Sequence, residues 1–143
     1  MEAKVTWQQN LTFIGTADTG FKVQIDSKST SGGNDSGLTP MELIAIGVAG
    51  CTAMDVISIL QKKHQEVSDF EVLVHATRAE EHPRKFTNMI IEYVVTGTEV
   101  DRAAVERAVD LSEDKYCGAI NTLKGNVNFQ RLITIKDIVP LNK

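Results

Sequence analysis

The chain has 143 residues, of which 42% are hydrophobic and 24% charged, a balance that excludes disorder and allows one globular domain with a sizeable core. A formal net charge of −4 leaves no electrostatic footprint for nucleic acid or an anionic membrane surface. The opening MEAKVTWQQN has no apolar signal region behind its lysine, and two cysteines make a poor disulfide framework, so a cytoplasmic protein with reduced thiols is expected.

Residues 4–27 alternate loosely and predict two or three strands with a turn at Thr19-Gly20. The Ser/Gly-rich segment SKSTSGGNDSGLT, residues 27–39, lacks the Lys-Ser/Thr ending of a phosphate-binding loop. It reads as a flexible connection or a lid over a cleft. A helix then opens at Thr39, Pro40 and Glu42, which fit N-cap, first helical residue and N3 of a capping box. Lys62, Lys63 and His64 sit where cations favour its C-terminus. The apolar run is broken by Glu42 and Asp55, which argues against a membrane span. Projected at about 100° per residue, the stretch has no clean polar face between residues 43 and 54, and such a helix is normally enclosed. So short a chain has few elements to surround it. A second copy is therefore expected to supply the cover, giving a two-fold homodimer with this helix near its centre.

Further on, FEVLVHATRA (70–79) and FTNMIIEYVVTG (86–97) predict a hairpin around Pro83. An amphipathic helix opens at Asp101, a second short helix holding Cys117 closes at Gly125, and NVNFQRLITIKDI forms a last strand. No repeat or linker interrupts this order of strands, long helix, hairpin, short helices and strand. It describes one α+β domain over residues 1–143.

Two residues stand out for chemistry. Cys51 lies among Gly47, Ala49, Gly50 and Ala53, where small residues either open space beside a thiol or let another backbone approach. Mid-helix dipole is weak and Asp55 one turn on raises a thiol pKa, so its own neighbours favour a buried structural cysteine. Cys117 follows Ser112, Glu113 and Asp114, a cluster resembling a helix start. That would place it in a first turn, where the thiol pKa is lowered, with Lys115 adding positive charge; a packed small hydrophobe is the alternative. His64, His75 and His82 have no ligand spacing, the aromatics show no base-stacking pattern, and neither metal nor cofactor is expected.

TPMELIAIGVAGCTAMDV, followed 66 residues after Cys51 by KYCGAI, resembles the two cysteine motifs of the OsmC/Ohr family, and the element order is similar over essentially the whole chain. The resemblance implies an OsmC-like intertwined homodimer, with antiparallel-rich sheets wrapped around two long central helices and active sites at the interface. It implies thiol-dependent reduction of organic hydroperoxides. Cys51 would attack the distal peroxide oxygen and become a sulfenic acid; Cys117 would resolve it to a disulfide that an external dithiol reduces.

The pattern departs from the peroxidase branches in one respect. There an arginine from the N-terminal strands meets the reactive thiol, held by a glutamate just after the helix-opening proline. Here residues 1–39 hold no arginine, Lys22 is the best cation, and Met41 follows Pro40 with Glu42 one place on, as in many members of the broader OsmC-like branch. Glu42 is the remaining catalytic candidate. It lies about half a turn round the helix from Cys51 and roughly 13 Å along it, so it acts through the partner subunit or serves only as the cap. Arg78 or Arg84 from the hairpin could substitute as the cation, or be solvated charges. The missing arginine keeps a non-enzymatic alternative open, a binding module holding a small apolar or electrophilic ligand at the dimer interface.

Overall fold

Alternating side chains near the N-terminus form β1 (Ala3–Gln9), β2 (Thr12–Ala17) and β3 (Lys22–Ile25), an antiparallel meander in that order. The expected turn is present: Gly20, at φ 80°, donates its N–H to Ala17 O at 2.9 Å. The computed structural model describes residues 1–139 in two compact units, Met1–Ile44 and the part from Ala45 onward. The expected domain's last four residues, 140–143, lie outside the described part. In the first unit the apolar side chains of Val5, Trp7 and Phe21 stand exposed, Phe21 at 84%.

The 27–39 segment is not the flexible connection that its composition suggests. Buried Asp26 pins it: one carboxylate oxygen accepts from Ser27 N–H at 2.7 Å, and the other from Asn34 N–H (3.1 Å), Ser36 N–H (3.2 Å) and the Ser36 hydroxyl (2.6 Å). Gly33 belongs to the same fold-back, since a β-carbon there would overlap the Ser27 carbonyl. A carboxylate with four donors outweighs the chain entropy of Ser and Gly.

The long helix α1 spans Pro40–Lys62. Its capping box forms as expected. Glu42 Oε2 accepts from the Thr39 N–H at 2.7 Å and the Thr39 hydroxyl at 3.0 Å, while Glu42 N–H donates back to Thr39 Oγ1 at 3.3 Å. Buried residues along α1 are Val48, Thr52, Val56 and Leu60, one stripe at a spacing of four. The other faces keep Ile44, Ile46 and Met54 exposed, Met54 at 73%, and β-carbons at Gly47 and Gly50 would meet open space. Despite Glu42 and Asp55, α1 is long and apolar enough by composition to cross a membrane, the one such helix among the described residues. Its stripe of four buried residues packs instead into its own chain.

Behind α1 stands a second sheet in the order β4-β5-β6. It comprises β4 (Glu66–Arg78), β5 (Phe86–Thr98) and β6 (Asn128–Asp137). The β4–β5 hairpin is the expected one, with β4 starting four residues earlier. β6 pairs parallel to β5, from Asn88 opposite Asn128 to Gly97 opposite Asp137. A parallel neighbour needs a crossover, supplied by α2 (Arg102–Leu111) and α3 (Gly118–Leu123). α2 is capped by Asp101, whose carboxylate accepts from Ala103 N–H at 3.0 Å, and it buries Ala104, Val105, Ala108 and Val109. Met89, Ile91, Tyr93 and Val95 of β5 complete this core. The whole is α+β, as expected.

Candidate active site

Between α2 and α3 the chain does not restart a helix at Ser112–Asp114. Ser112–Tyr116 is instead a π-helical turn continuing α2, closed by Cys117 N–H donating to Ser112 O at 2.7 Å, five residues back. The widened turn buries the Ser112 side chain fully. It also leaves Cys117 as the N-cap of α3 rather than inside its first turn, with Sγ accepting from Ile120 N–H at 3.4 Å. Asn121 Nδ2 braces the turn from behind, donating to Cys117 O at 2.9 Å and Glu113 O at 3.1 Å.

This placement brings the two thiols together. Cys51, half-buried on α1, and Cys117, fully buried, meet Asp55 in a trio whose sulfurs and carboxylate oxygen all lie within 4.8 Å of one another. Cys51 and Asp55 share a face because they are four residues apart on one helix. The expected lowering of the Cys117 pKa is reversed. Burial pushes the thiol up to about 11, outweighing the Ile120 N–H bond, and contact with the Cys51 thiol pushes the same way. One short helix end is too weak against full desolvation.

Asp55 opens a chain of side-chain hydrogen bonds that composition does not reveal. The Ser112 hydroxyl donates to Asp55 Oδ2 at 3.0 Å, and Ser112 Oγ lies 2.8 Å from Thr52 Oγ1. Thr52 Oγ1 is 2.9 Å from the Tyr93 hydroxyl, which donates to Glu113 Oε1 at 3.1 Å. Arg131 on β6 then donates to Glu113 Oε2 at 3.3 Å and pairs with Asp110 at 2.7 Å. Thr52, Tyr93 and Ser112 are all fully buried. Burial raises the Glu113 carboxyl despite Arg131, and raises Tyr93 further, with Glu113 adding to it.

Glu42 is engaged at its cap, where the Thr39 bonds hold its carboxyl below the usual range. Lys22 is exposed on β3. Arg78 donates its Nε to Arg84 O at 2.7 Å within the exposed hairpin end, and His75 pairs with Glu92 at 3.0 Å. Within the second unit, the charged group beside the thiols is a carboxylate. Among the described residues the trio would give a cation three donors, one fewer than a closed structural zinc site, and Asp55 is already bonded to Ser112.

A cleft of about 560 Å³ reaches Asp55 of the trio, lined by Met54, Ile59, Leu111 and Tyr116 with Ser58 and Lys62 on its wall. That volume suits a small, mostly apolar ligand. Of these parts the sequence signalled the cysteines and, through the i, i+4 spacing, Asp55. Thr52 stands in the first cysteine motif and Ser112 and Glu113 in the cluster that resembles a helix start, yet nothing in the sequence links them to Tyr93; the four converge only in the fold.

Comparison with known proteins identifies the family and the fold. Residues 32–131 match the family described as OsmC-like protein. "Protein YhfA" of Escherichia coli K12 is 43% identical over 128 residues, covering 90% of this chain and 92% of that one. The crystal structure of a hypothetical protein from Aquifex aeolicus VF5 is 30% identical, with a TM-score of 0.84 over 96% of this chain and 97% of that one. An organic hydroperoxide resistance protein OsmC from Legionella pneumophila is 17% identical, with a TM-score of 0.67 over 93% and 95%, a likeness of fold alone.

Proposed function

Because the chain belongs to the OsmC-like family, we propose that it reduces organic hydroperoxides with Cys51 as the attacking thiol and Cys117 as the resolving one. The observation that carries this is the sulfur pair within 4.8 Å, with Asp55 of the same trio opening on a mostly apolar cleft. Burial supports these roles. Cys51 is partly accessible, whereas Cys117 is enclosed and its thiol stays protonated at neutral pH. The Cys51 thiolate attacks the distal peroxide oxygen: an S–O bond forms, the O–O bond breaks, and an alkoxide leaves. Sulfur is oxidised and the peroxide reduced. The Cys51 sulfenic acid then condenses with the Cys117 thiol, giving a disulfide and water. An external dithiol restores both thiols, which suits a reducing, cytoplasmic setting.

Glu42 enters this scheme by holding the start of α1. A second copy of the chain is proposed to cover the exposed faces of α1. Open space beside Gly47 and Gly50, flanked by exposed Ile46 and Met54, leaves room for a second backbone at close range.

The test is stopped-flow mixing with tert-butyl hydroperoxide, following thiol loss in wild type, Cys51→Ser and Cys117→Ser. Wild type is expected to consume peroxide with disulfide formation, Cys117→Ser to stop at a trappable sulfenic acid, and Cys51→Ser to be inert. Thiol loss no faster than that of free cysteine would sink the proposal. A second reading, a ligand-binding module without chemistry, draws on Asp55, because an ionised carboxylate disfavours a neighbouring thiolate. It predicts unreactive thiols and a co-purified ligand in native mass spectrometry.

A further inference from the structure

The chain from Asp55 to Glu113 contains four oxygen–oxygen contacts: Asp55–Ser112 at 3.0 Å, Ser112–Thr52 at 2.8 Å, Thr52–Tyr93 at 2.9 Å and Tyr93–Glu113 at 3.1 Å. Each needs one hydrogen between its two oxygens. The three hydroxyls supply one hydrogen apiece, and an ionised carboxylate supplies none. With both acids ionised, one contact would press two lone pairs together at hydrogen-bond distance. The three hydroxyl residues are fully buried, where an unmade bond costs most. The count closes only when a fourth hydrogen sits on Asp55 or on Glu113.

The two placements are related by a shift of every proton by one link. With the hydrogen on Glu113, all the hydroxyls point toward an ionised Asp55. With it on Asp55, all point toward an ionised Glu113, which Arg131 then neutralises at 3.3 Å. Both are fully bonded, so protons pass from one end to the other without an unsatisfied intermediate group. The ends differ in surroundings. Asp55 faces Cys51, Cys117 and Ser112, and Lys62 shares its cleft. Glu113 faces Tyr93 and Arg131, with Asp110 bonded to the same guanidinium and Asp114 adjacent in sequence, and its side chain is 22% exposed. Glu113 is thus the end nearer solvent, and Asp55 the end beside the thiols.

We infer that Glu113, Tyr93, Thr52, Ser112 and Asp55 form a one-proton relay that loads Asp55, which then protonates the alkoxide leaving from the peroxide attacked by Cys51. This rests on the hydroperoxide reading above. Asp55 is the catalytic acid, and the other four are positioning residues. The relay removes the objection raised by a carboxylate beside a thiolate, since a loaded Asp55 carries no charge. In the step itself the alkoxide takes the Asp55 proton, leaving an alcohol and an ionised Asp55. The three hydroxyls then turn toward ionised Asp55, Glu113 takes a proton from solvent, and a shift of every proton by one link reloads Asp55.

Thr52→Val separates the relay from the fold. It removes the middle hydroxyl at nearly constant shape, leaving Ser112 bonded to Asp55 and Tyr93 bonded to Glu113 with no call for a fourth hydrogen. The probes are difference infrared spectroscopy of the full-length protein and its reaction with tert-butyl hydroperoxide. Wild type at neutral pH should show a protonated-carboxyl C=O stretch; Thr52→Val should lose it and Thr52→Ser keep it. Thiol oxidation should slow about a hundredfold in Thr52→Val, the low end of a general acid's contribution. The deficit should shrink as pH falls and solvent protonates Asp55 directly, and Thr52→Ser should recover the rate. No carboxyl band in wild type overturns the relay whether or not peroxide is consumed, as does a Thr52→Val protein that keeps both band and rate. A Thr52-dependent band in a wild type inert to the peroxide retains the stored proton, and overturns the peroxide reading and the delivery step with it.

Discussion

Burial pushes the Cys117 thiol from 9.0 to about 11, and two measurable effects follow. Disulfide closure needs its thiolate, so closure should quicken about tenfold per pH unit toward about 11 while sulfenic acid accumulates below neutrality. Dimedone trapping against pH reads this directly, and a flat profile would contradict the resolving role. Because folding raises this pKa, the neutral thiol favours the fold. That contribution is whole below 9.0 and fades as pH rises through about 11, so Cys117→Ala should flatten the alkaline side of a stability profile. Asp26 behaves oppositely. The Ser36 hydroxyl, with backbone donors helping and burial opposing, lowers its carboxyl from 3.8 to about 2. Its stabilisation is present above 3.8 and lost as pH falls toward about 2. Ser36→Ala should move the Asp26 carboxyl resonance upward in an NMR titration; an unchanged midpoint would show that this hydroxyl is not the cause.

At the scale of elements, the parts with local signals were legible in advance. The capping box of α1, the Asp101 cap of α2, the turn at Gly20 and the hairpin around Pro83 each depend on residues a few positions apart. What was missed depends on distant partners. Asp26 binds donors from eight and ten residues away, and turns a Gly/Ser stretch into a fixed loop. The π-turn at Ser112–Tyr116 mimics a helix start in sequence because a serine followed by two acids reads as a cap, while in the fold Ser112 is drawn inward to Thr52 and Asp55 and Glu113 to Tyr93. The buried stripe of α1 makes a direct prediction: Leu60→Ala should cost about 2–5 kcal/mol in denaturant unfolding. Ile46→Ala, on an exposed face, should cost far less as long as the chain is alone.

For the whole molecule, the same contrast becomes a test of assembly. A β-carbon at Gly47 or Gly50 meets nothing in the single chain, so Gly50→Leu should be tolerated by a monomer and even favour its helix. Between two closely packed copies it would force them apart. Light scattering after size-exclusion chromatography is expected to show a wild-type dimer and a monomeric or weakly associating Gly50→Leu protein. A wild-type monomer would remove the proposed interface.

Sequence by itself determined the α+β order, the caps, the long apolar helix and the identity of the two cysteines, because each rests on periodicity, short spacing or a family motif. Only tertiary structure decided that the sulfurs meet, that Cys117 is a weak rather than a strong acid, and that three scattered hydroxyls bridge Asp55 to Glu113. Desolvation and hydrogen bonding act between neighbours in space, and Thr52, Tyr93 and Ser112 become neighbours only when a helix, a strand and a π-turn close on one another.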